Sequence, residues 1–173
     1  VLCGDGDLME GISYEAASFA GINKLNNLIV LYDANKMTLD DSLDKEYNTR
    51  IADLYTSLGW EVLSVKDGNK ISEIDKALDV ANKSKKPVLI IANTILGKYS
   101  EYENTNKIHG KLNEEDLDQI RVKLKGERPF YINEQNLEML RNKVKERNDS
   151  VYEEWYEEYK SYIQTLSDKE LEN

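Results

Sequence analysis

Two polar motifs, each directly after a predicted strand, constrain this chain more than any other feature. Gly4-Asp5-Gly6 follows a short apolar run at 1–3, and Tyr32-Asp33-Ala34-Asn35 ends a longer apolar run that begins at Leu28. The segment between them, 10–20, is predicted to be a helix. Strand, helix and strand in succession predict a parallel sheet whose strand ends lie along one edge. Asp5 and Asn35 are therefore expected to face each other at that edge.

The alternation of strands and helices continues beyond the second motif. Its order predicts an α/β fold, with a parallel sheet covered by helices on both faces. Asn48 or Thr49 is the expected N-cap of the next helix and Gly59 its end, and Ser72 with Asp75 resembles a capping box. The further predicted strands lie at 61–65 and 87–92, and the further predicted helices at 49–58 and 72–83.

The last third of the chain is predicted to contain a polar loop followed by helices. A long polar loop is predicted at 97–111, and loops of this length are usually functional or mobile. A helix is predicted at 114–125, and the tail that follows has apolar and aromatic residues at helical spacing, which predicts one or two amphipathic helices. Trp155 and Tyr159 are expected to pack as anchors; the alternative is a docking helix that leads to a further domain. The predicted domains are 1–126, α/β and partial, and 127–173, a helical extension or linker.

Composition excludes several classes of function. The net charge is −10, which argues against nucleic acid and anionic membranes as partners, because both require a basic face. A polyphosphate ligand stays possible if a metal ion supplies the positive charge. The single cysteine, Cys3, allows no intrachain disulfide. No apolar run is long enough to span a bilayer and no signal peptide is visible, so a cytoplasmic location is expected.

The residue types in the two motifs indicate a metal and phosphate site. Carboxylate and amide oxygens such as those of Asp5 and Asn35 suit Mg²⁺, which usually binds one or two protein groups together with substrate phosphates. Gly4 is expected to allow a tight turn. Gly6 lacks a Cβ where backbone N–H groups can meet phosphate oxygens.

The sequence of residues 4–15, GDGDLMEGISYE, together with the later Asn35, resembles the thiamine-diphosphate-binding motif of the transketolase family. The resemblance implies that thiamine diphosphate and Mg²⁺ bind here. It also implies that the side chains of Asp5 and Asn35 and the backbone carbonyl of Met37 are the metal ligands. The implied fold is that family's diphosphate-binding domain, incomplete at its N-terminus. The implied activity is transfer of a two-carbon ketol unit between sugar phosphates by a homodimer.

The same resemblance implies roles for three further residues. Glu10 and Glu15 match acids that transketolases carry at the dimer interface, near the glutamate that activates the cofactor. His109, the only histidine, matches a residue that reaches the diphosphate and the donor sugar. The chain departs from the family in the loop 97–102, and Lys111 replaces the proline that usually follows the His-Gly pair.

Three alternatives stay open at the level of sequence. One is another thiamine-diphosphate enzyme, such as a deoxyxylulose-phosphate synthase, although the Met9-Glu10-Gly11 triplet disfavours it. The second is a non-catalytic split subunit that binds the cofactor with a partner. The third is a receiver-like domain with Asp33 as phosphoacceptor. Because Val1 already lies in a predicted strand, residues are expected to be missing upstream. The resemblance implies a separate pyrimidine-binding domain, which does not fit in 173 residues, so the isolated chain is expected to be inactive.

Overall fold

Four parallel strands form the centre of the first part of this chain. Their bounds are Leu2–Cys3 (β1), Ile29–Ala34 (β2), Glu61–Val65 (β3) and Val88–Asn93 (β4). In the computed structural model, which describes residues 1–109, 112–124 and 132–167, they lie in the order β1-β2-β4-β3. Every neighbouring pair runs parallel, which confirms the predicted α/β class.

The helices lie between and after the strands. Their bounds are Asp5–Met9 (α1), Gly11–Ile22 (α2), Leu43–Glu46 (α3), Ile51–Ser57 (α4), Ile71–Ala81 (α5), Glu114–Lys123 (α6) and Glu134–Ile163 (α7). The chain separates into two compact units, Val1–Lys125 and Gly126–Asn173. The sheet and α1 to α6 belong to the first unit, and α7 belongs to the second.

Helices cover both faces of the sheet, as the continuous apolar runs predict. Alternate residues of β2 point to opposite faces, so Val30 and Tyr32 join one buried cluster and Ile29 and Leu31 pack against the other. The first cluster is completed by residues of α2 and α4, and the second by residues of α5. Leu89 in β4 is fully buried between these layers. Apolar burial on both faces is the main force that holds the strand ends in line.

Small residues let α2 approach the chain that follows α4. Ala17, Ala20 and Gly21 are buried, and a Cβ on Gly21 would lie 1.8 Å from the carbonyl oxygen of Leu58. The indole N–H of Trp60 donates to the carbonyl of Ala17 over 2.8 Å. The other side of α2 is open, with Ile12, Phe19 and Ile22 exposed.

Two predicted helix starts are wrong. The N-cap of α4 is Arg50, not Asn48 or Thr49, and the N-cap of α5 is Lys70. Ser72 therefore lies inside the first turn of α5, where it cannot be the cap of the predicted capping box. The reason is tertiary, because the N–H of Gly68 donates to the carbonyl of Asn93 over 2.8 Å and attaches the preceding turn to the end of β4.

The predicted polar loop at 97–111 is folded where the structure describes it; residues 110 and 111 lie outside the described residues. A short 3-10 turn, Asn106–Ile108, buries Ile108. Gly97 has φ +60, and a Cβ there would meet the Ile108 side chain at 2.6 Å, so only glycine fits. The side-chain amide of Asn106 donates to the carbonyl of Asp40 over 2.8 Å. This bond attaches the loop to the segment after β2.

Within the described residues, the second unit contains one long helix, α7, which agrees with the prediction of one or two helices. The expectation that its aromatic residues are packing anchors is wrong within the described residues, because α7 buries none of its side chains. Trp155 is 53% exposed and stacks on Tyr159, with ring centroids 5.3 Å apart. Among the described helices, α7 included, none combines the length and apolar character that a bilayer span requires.

Candidate functional site

The first motif begins a short helix instead of forming a tight turn. Gly4 precedes α1 with φ −107 and ψ −173, an extended conformation that any residue adopts. The prediction of a tight turn at Gly4 is therefore wrong. The N–H of Gly4 donates to the carboxylate of Asp7 over 2.8 Å, which ties the end of β1 to the first turn of α1.

Gly6 leaves open space beside this turn. A Cβ at Gly6 would have no protein atom within 4 Å, and the residue lines a pocket. Backbone N–H groups in the first turn of a helix have no acceptor within the helix. The backbone at Gly6 is therefore open on this side, and its contact with a phosphate oxygen stays a prediction.

Asp5 is a buried carboxylate whose two oxygens each accept one hydrogen bond. It is 3% exposed. The backbone N–H of Lys36 donates to Oδ2 over 2.9 Å, and the hydroxyl of Tyr32 donates to Oδ1. No salt bridge to Asp5 is found within the described part of the chain. A buried carboxylate without a cationic partner is costly, which makes this oxygen pair a ready ligand for a metal ion.

Tyr32 stays protonated and so acts as the donor in this pair. Burial raises the pKa of its phenol far above the usual value, and the hydrogen bond to Asp5 raises that pKa further. The proton therefore belongs to Tyr32, and Asp5 is the acceptor.

Asn35 is held by bonds on both sides of its amide. Its Oδ1 accepts the N–H of Met37 over 3.0 Å, and its Nδ2 lies 3.4 Å from a carboxylate oxygen of Asp33. The other carboxylate oxygen of Asp33 accepts the hydroxyl of Thr94, which follows β4. This chain of contacts sets which end of the amide carries the oxygen.

The backbone N–H and carbonyl of Met37 point away from Ser42, the residue with which Met37 is paired. Met37 and Ser42 form an isolated antiparallel bridge. The bridge is closed by flanking groups, since Leu43 donates to the carbonyl of Lys36 over 3.0 Å and Thr38 donates to that of Asp41 over 2.9 Å. In such a pair the carbonyl of the central residue is directed outward. The Met37 carbonyl is thus available to a ligand.

One pocket of about 400 Å³ brings most of the predicted site residues together. It is lined by Gly4, Asp5, Gly6, Asp7, Met9, Glu10, Asn35, Met37, Thr38, Leu39, Asp40 and His109. Glu15 is not among these residues; it lies on α2 and is exposed. Glu10, the N-cap of α2, is exposed at the pocket rim, and His109 is half-buried at the end of the folded loop.

The pocket is acidic, and this determines what it can hold. Asp5, Asp7, Glu10 and Asp40 line it, and its described lining contains no Lys or Arg. The half-buried Cys3 nearby has a pKa raised to about 11, first by burial and then by the charge of Asp7. A diphosphate would be repelled from this pocket unless a divalent cation came with it.

The donor set fits a hard cation. A carboxylate, an amide oxygen and a backbone carbonyl are all oxygen ligands, which Mg²⁺ prefers. The described residues contain no cluster of three or more His, Cys, Asp or Glu side chains suited to a metal. A cation held here would therefore use one charged protein ligand and complete its shell with phosphate oxygens and water.

The structure adds residues to which the sequence assigned no role. Tyr32 and Thr94 contact Asp5 and Asp33 across the strand ends. The sequence signal is slight, since Tyr32 lies two residues before the end of β2 and Thr94 directly follows β4. A second cavity of about 750 Å³ is also lined by Asn35 and Met37. Its further lining residues are Ala34, Lys36, Ser42, Leu43, Asp44, Tyr47, Asn48, Asn93, Thr94 and Asn104.

Comparison with known proteins agrees with this geometry. The sequence model described as "Transketolase, thiamine diphosphate binding domain" matches residues 1–173. The transketolase of Staphylococcus aureus strain MRSA252 is 39% identical over 169 residues, which covers 95% of this chain and 26% of the relative. The transketolase of Bacillus subtilis is 39% identical over 166 residues, which covers 93% of this chain and 25% of the relative. The chain thus spans about a quarter of the length of these relatives.

Solved structures give the same result. Transketolase from Campylobacter jejuni matches with a TM-score of 0.80 and 37% identity, over 98% of this chain and 27% of the other. Transketolase from Leishmania mexicana matches with a TM-score of 0.84 and 31% identity, over 96% and 25%. These matches confirm the predicted fold and favour the transketolase interpretation over the synthase and receiver-like alternatives. The chain belongs to the transketolase family, as its thiamine diphosphate binding domain.

Proposed function

We propose that this chain holds the diphosphate of thiamine diphosphate, through Mg²⁺, in an enzyme that transfers a two-carbon ketol unit between sugar phosphates. A transketolase from Pichia stipitis has been solved with sedoheptulose-7-phosphate and matches this chain with a TM-score of 0.82 and 33% identity, over 96% of this chain and 25% of the other. Sugar phosphates are accordingly the proposed substrates, and a cytoplasmic location is proposed for the enzyme.

The observation that carries the proposal is the buried carboxylate of Asp5. It has no cationic partner among the described residues, and it shares an acidic pocket with Asn35, Met37 and the open side of Gly6. A cation bound by Asp5, Asn35 and the Met37 carbonyl would satisfy that carboxylate. The same cation would bring a diphosphate to the backbone at Gly6.

The protein residues then have separate tasks. Asp5 and Asn35 bind the cation and fix its distance from the helix start. His109 is proposed as a donor to the diphosphate or the donor sugar, because imidazole can donate to an oxyanion and transfer a proton near neutral pH. The cofactor, when bound, supplies the carbon nucleophile for the ketose carbonyl, while the protein binds and orients it.

Glu10 and Glu15 are proposed to lie at the interface of a homodimer, close to the cofactor of the partner subunit. Both side chains are exposed in the single chain, and the apolar residues Ile12 and Phe19 beside them are exposed as well. An apolar exposed face with acids at its rim suits an interface between subunits. In the complete enzyme, Glu15→Arg is expected to shift the dimer toward monomers by sedimentation, whereas Glu61→Arg, on β3, is the control and should leave the dimer intact.

Calorimetric titration tests the metal site directly. The complete enzyme that contains this chain is titrated with thiamine diphosphate, with and without Mg²⁺. Asp5→Ala is expected to abolish Mg²⁺-dependent binding. Asp40→Ala is the matched control, because it removes a carboxylate from the same pocket at an exposed position. Unchanged cofactor affinity in Asp5→Ala would overturn the proposal.

The chain by itself is not expected to carry out the reaction. It spans about a quarter of its relatives, and the remaining three quarters of those proteins have no counterpart here. Ketol transfer by the purified 173-residue chain, above a blank with Asp5→Ala, would contradict this expectation.

A further inference from the structure

We propose that Tyr32 is a positioning residue of the cation site, whose hydroxyl sets the orientation of the Asp5 carboxylate. The inference rests on the proposed function, because it concerns the affinity of the same site for Mg²⁺ and cofactor. Tyr32 does not line the pocket, so any influence on the bound cation passes through Asp5.

The position of the Tyr32 ring is determined by the strands on either side. Tyr32 pairs with Cys3 of β1 and with Ile91 of β4. Its side chain belongs to the buried cluster formed with α2 and α4, and only 5% of the residue is exposed. A ring held this tightly presents its hydroxyl at one place, and Asp5 is the acceptor found there.

The two hydrogen-bond donors each bind a different oxygen of the Asp5 carboxylate. Lys36 holds Oδ2 through its backbone N–H at 2.9 Å, and Tyr32 holds Oδ1. Each carboxylate oxygen can accept two hydrogen bonds or metal contacts, so each keeps one direction free. With both donors in place the carboxylate plane is fixed before the cation arrives, and Asp5 is one of the residues that line the pocket.

Loss of the hydroxyl would release one end of the carboxylate. In Tyr32→Phe the ring keeps its shape, but Oδ1 becomes a buried acceptor without a donor, so the carboxylate can rotate. Partners that orient metal ligands typically contribute about 10–100-fold to metal affinity. Tyr32→Phe is therefore expected to weaken the Mg²⁺-dependent binding of thiamine diphosphate by about that factor.

The chain offers a matched control in the same core. Tyr55 in α4 is also 5% exposed and belongs to the same buried cluster. Its ring contacts Trp60 edge-on, with centroids 5.1 Å apart, and its hydroxyl takes no part in the Asp5 contacts. Tyr55→Phe thus deletes one buried hydroxyl without touching the proposed ligand.

The experiment is calorimetric titration of the complete enzyme, freed of metal and cofactor, with Mg²⁺ at saturating thiamine diphosphate. The thermal midpoint is measured in parallel. Tyr32→Phe is expected to lose about 10–100-fold in Mg²⁺ affinity, and Tyr55→Phe to stay within about twofold of wild type. Excess Mg²⁺ should restore full cofactor occupancy in Tyr32→Phe, which also shows that the variant is folded.

The two proposals fail in different ways. If Asp5→Ala binds Mg²⁺ and cofactor like the wild type, the proposed function is wrong. If Asp5→Ala abolishes binding but Tyr32→Phe stays within about twofold of Tyr55→Phe, the site stands and the positioning role of Tyr32 is overturned. Failure of excess Mg²⁺ to restore occupancy would likewise overturn it, because the loss would then be structural.

Discussion

The backbone N–H of Lys36 donates to Oδ2 of Asp5 over 2.9 Å and so joins the two polar motifs of the sequence. Lys36 adopts φ +65, a left-handed conformation that is uncommon outside glycine and asparagine. This turn brings the N–H back toward the end of β1. The relation depends on the backbone of Lys36, and the residue also lines the second cavity.

Substitutions at Lys36 should therefore distinguish the contribution of its backbone to cofactor affinity from that of its side chain. Lys36→Pro removes the N–H and cannot adopt positive φ, so cofactor affinity should fall by at least about tenfold. Lys36→Gly keeps both properties and should stay within about twofold of wild type. Titration of the complete enzyme with thiamine diphosphate and Mg²⁺ measures both. Equal affinity in the two variants would show that the bond to Asp5 is unimportant.

The contact between Thr94 and Asp33 should matter for the amide of Asn35. Thr94→Val keeps the shape of the side chain but deletes the donor to Asp33, which then no longer has a fixed orientation toward Asn35. We expect Mg²⁺ affinity to fall by about tenfold in Thr94→Val, as for other groups that orient metal ligands. Thr94→Ser restores the hydroxyl and should recover most of the affinity. A Ser variant as weak as the Val variant would show that the hydroxyl alone does not support Mg²⁺ affinity, which contradicts the prediction.

His109 should affect turnover more than metal binding. Loss of one positioned acid–base group typically costs about 10²–10⁴-fold in rate. His109→Ala in the complete enzyme should show this loss in steady-state kinetics with a ketose-phosphate donor, while Mg²⁺ affinity is retained. Lys107→Ala, two residues earlier and exposed, is the control. A His109→Ala rate within about twofold of wild type would leave His109 as an ordinary loop histidine.

Gly97 should be required for the loop that carries His109. In Gly97→Ala the new Cβ would lie 2.6 Å from the Ile108 side chain, at a backbone φ of +60. A strained left-handed residue of this kind costs about 1–3 kcal/mol, so the thermal midpoint and the turnover should both fall. Gly11→Ala is the control for stability, because a Cβ there meets no atom within 4 Å.

A double variant distinguishes collision from backbone strain at Gly97. Ile108→Ala removes all three side-chain atoms that the new Cβ would meet, so Gly97→Ala should cost less turnover in the Ile108→Ala background than in the wild type. If the cost is the same in both backgrounds, the left-handed backbone, and not the collision, is the cause.

The sequence by itself was sufficient for the class of fold and for half of the residues that line the pocket: Asp5, Gly6, Glu10, Asn35, Met37 and His109. Apolar runs mark buried strands because burial on both faces leaves no room for polar residues in alternation. Asp5 and Asn35 directly follow such strands, and parallel strands end on the same edge, so their meeting follows from local pattern alone. The similarity of residues 4–15 to the transketolase motif then indicated the chemistry.

Only the tertiary structure decided which groups hold those residues in place. Tyr32 reaches Asp5 and Thr94 reaches Asp33 because the strands are paired in one register, and a change of register would direct these side chains elsewhere. The start of α5 also depends on a bond from Gly68 to the end of β4, not on its own capping residues. These contacts join residues far apart in the chain, and periodicity and capping signals extend over only a few positions.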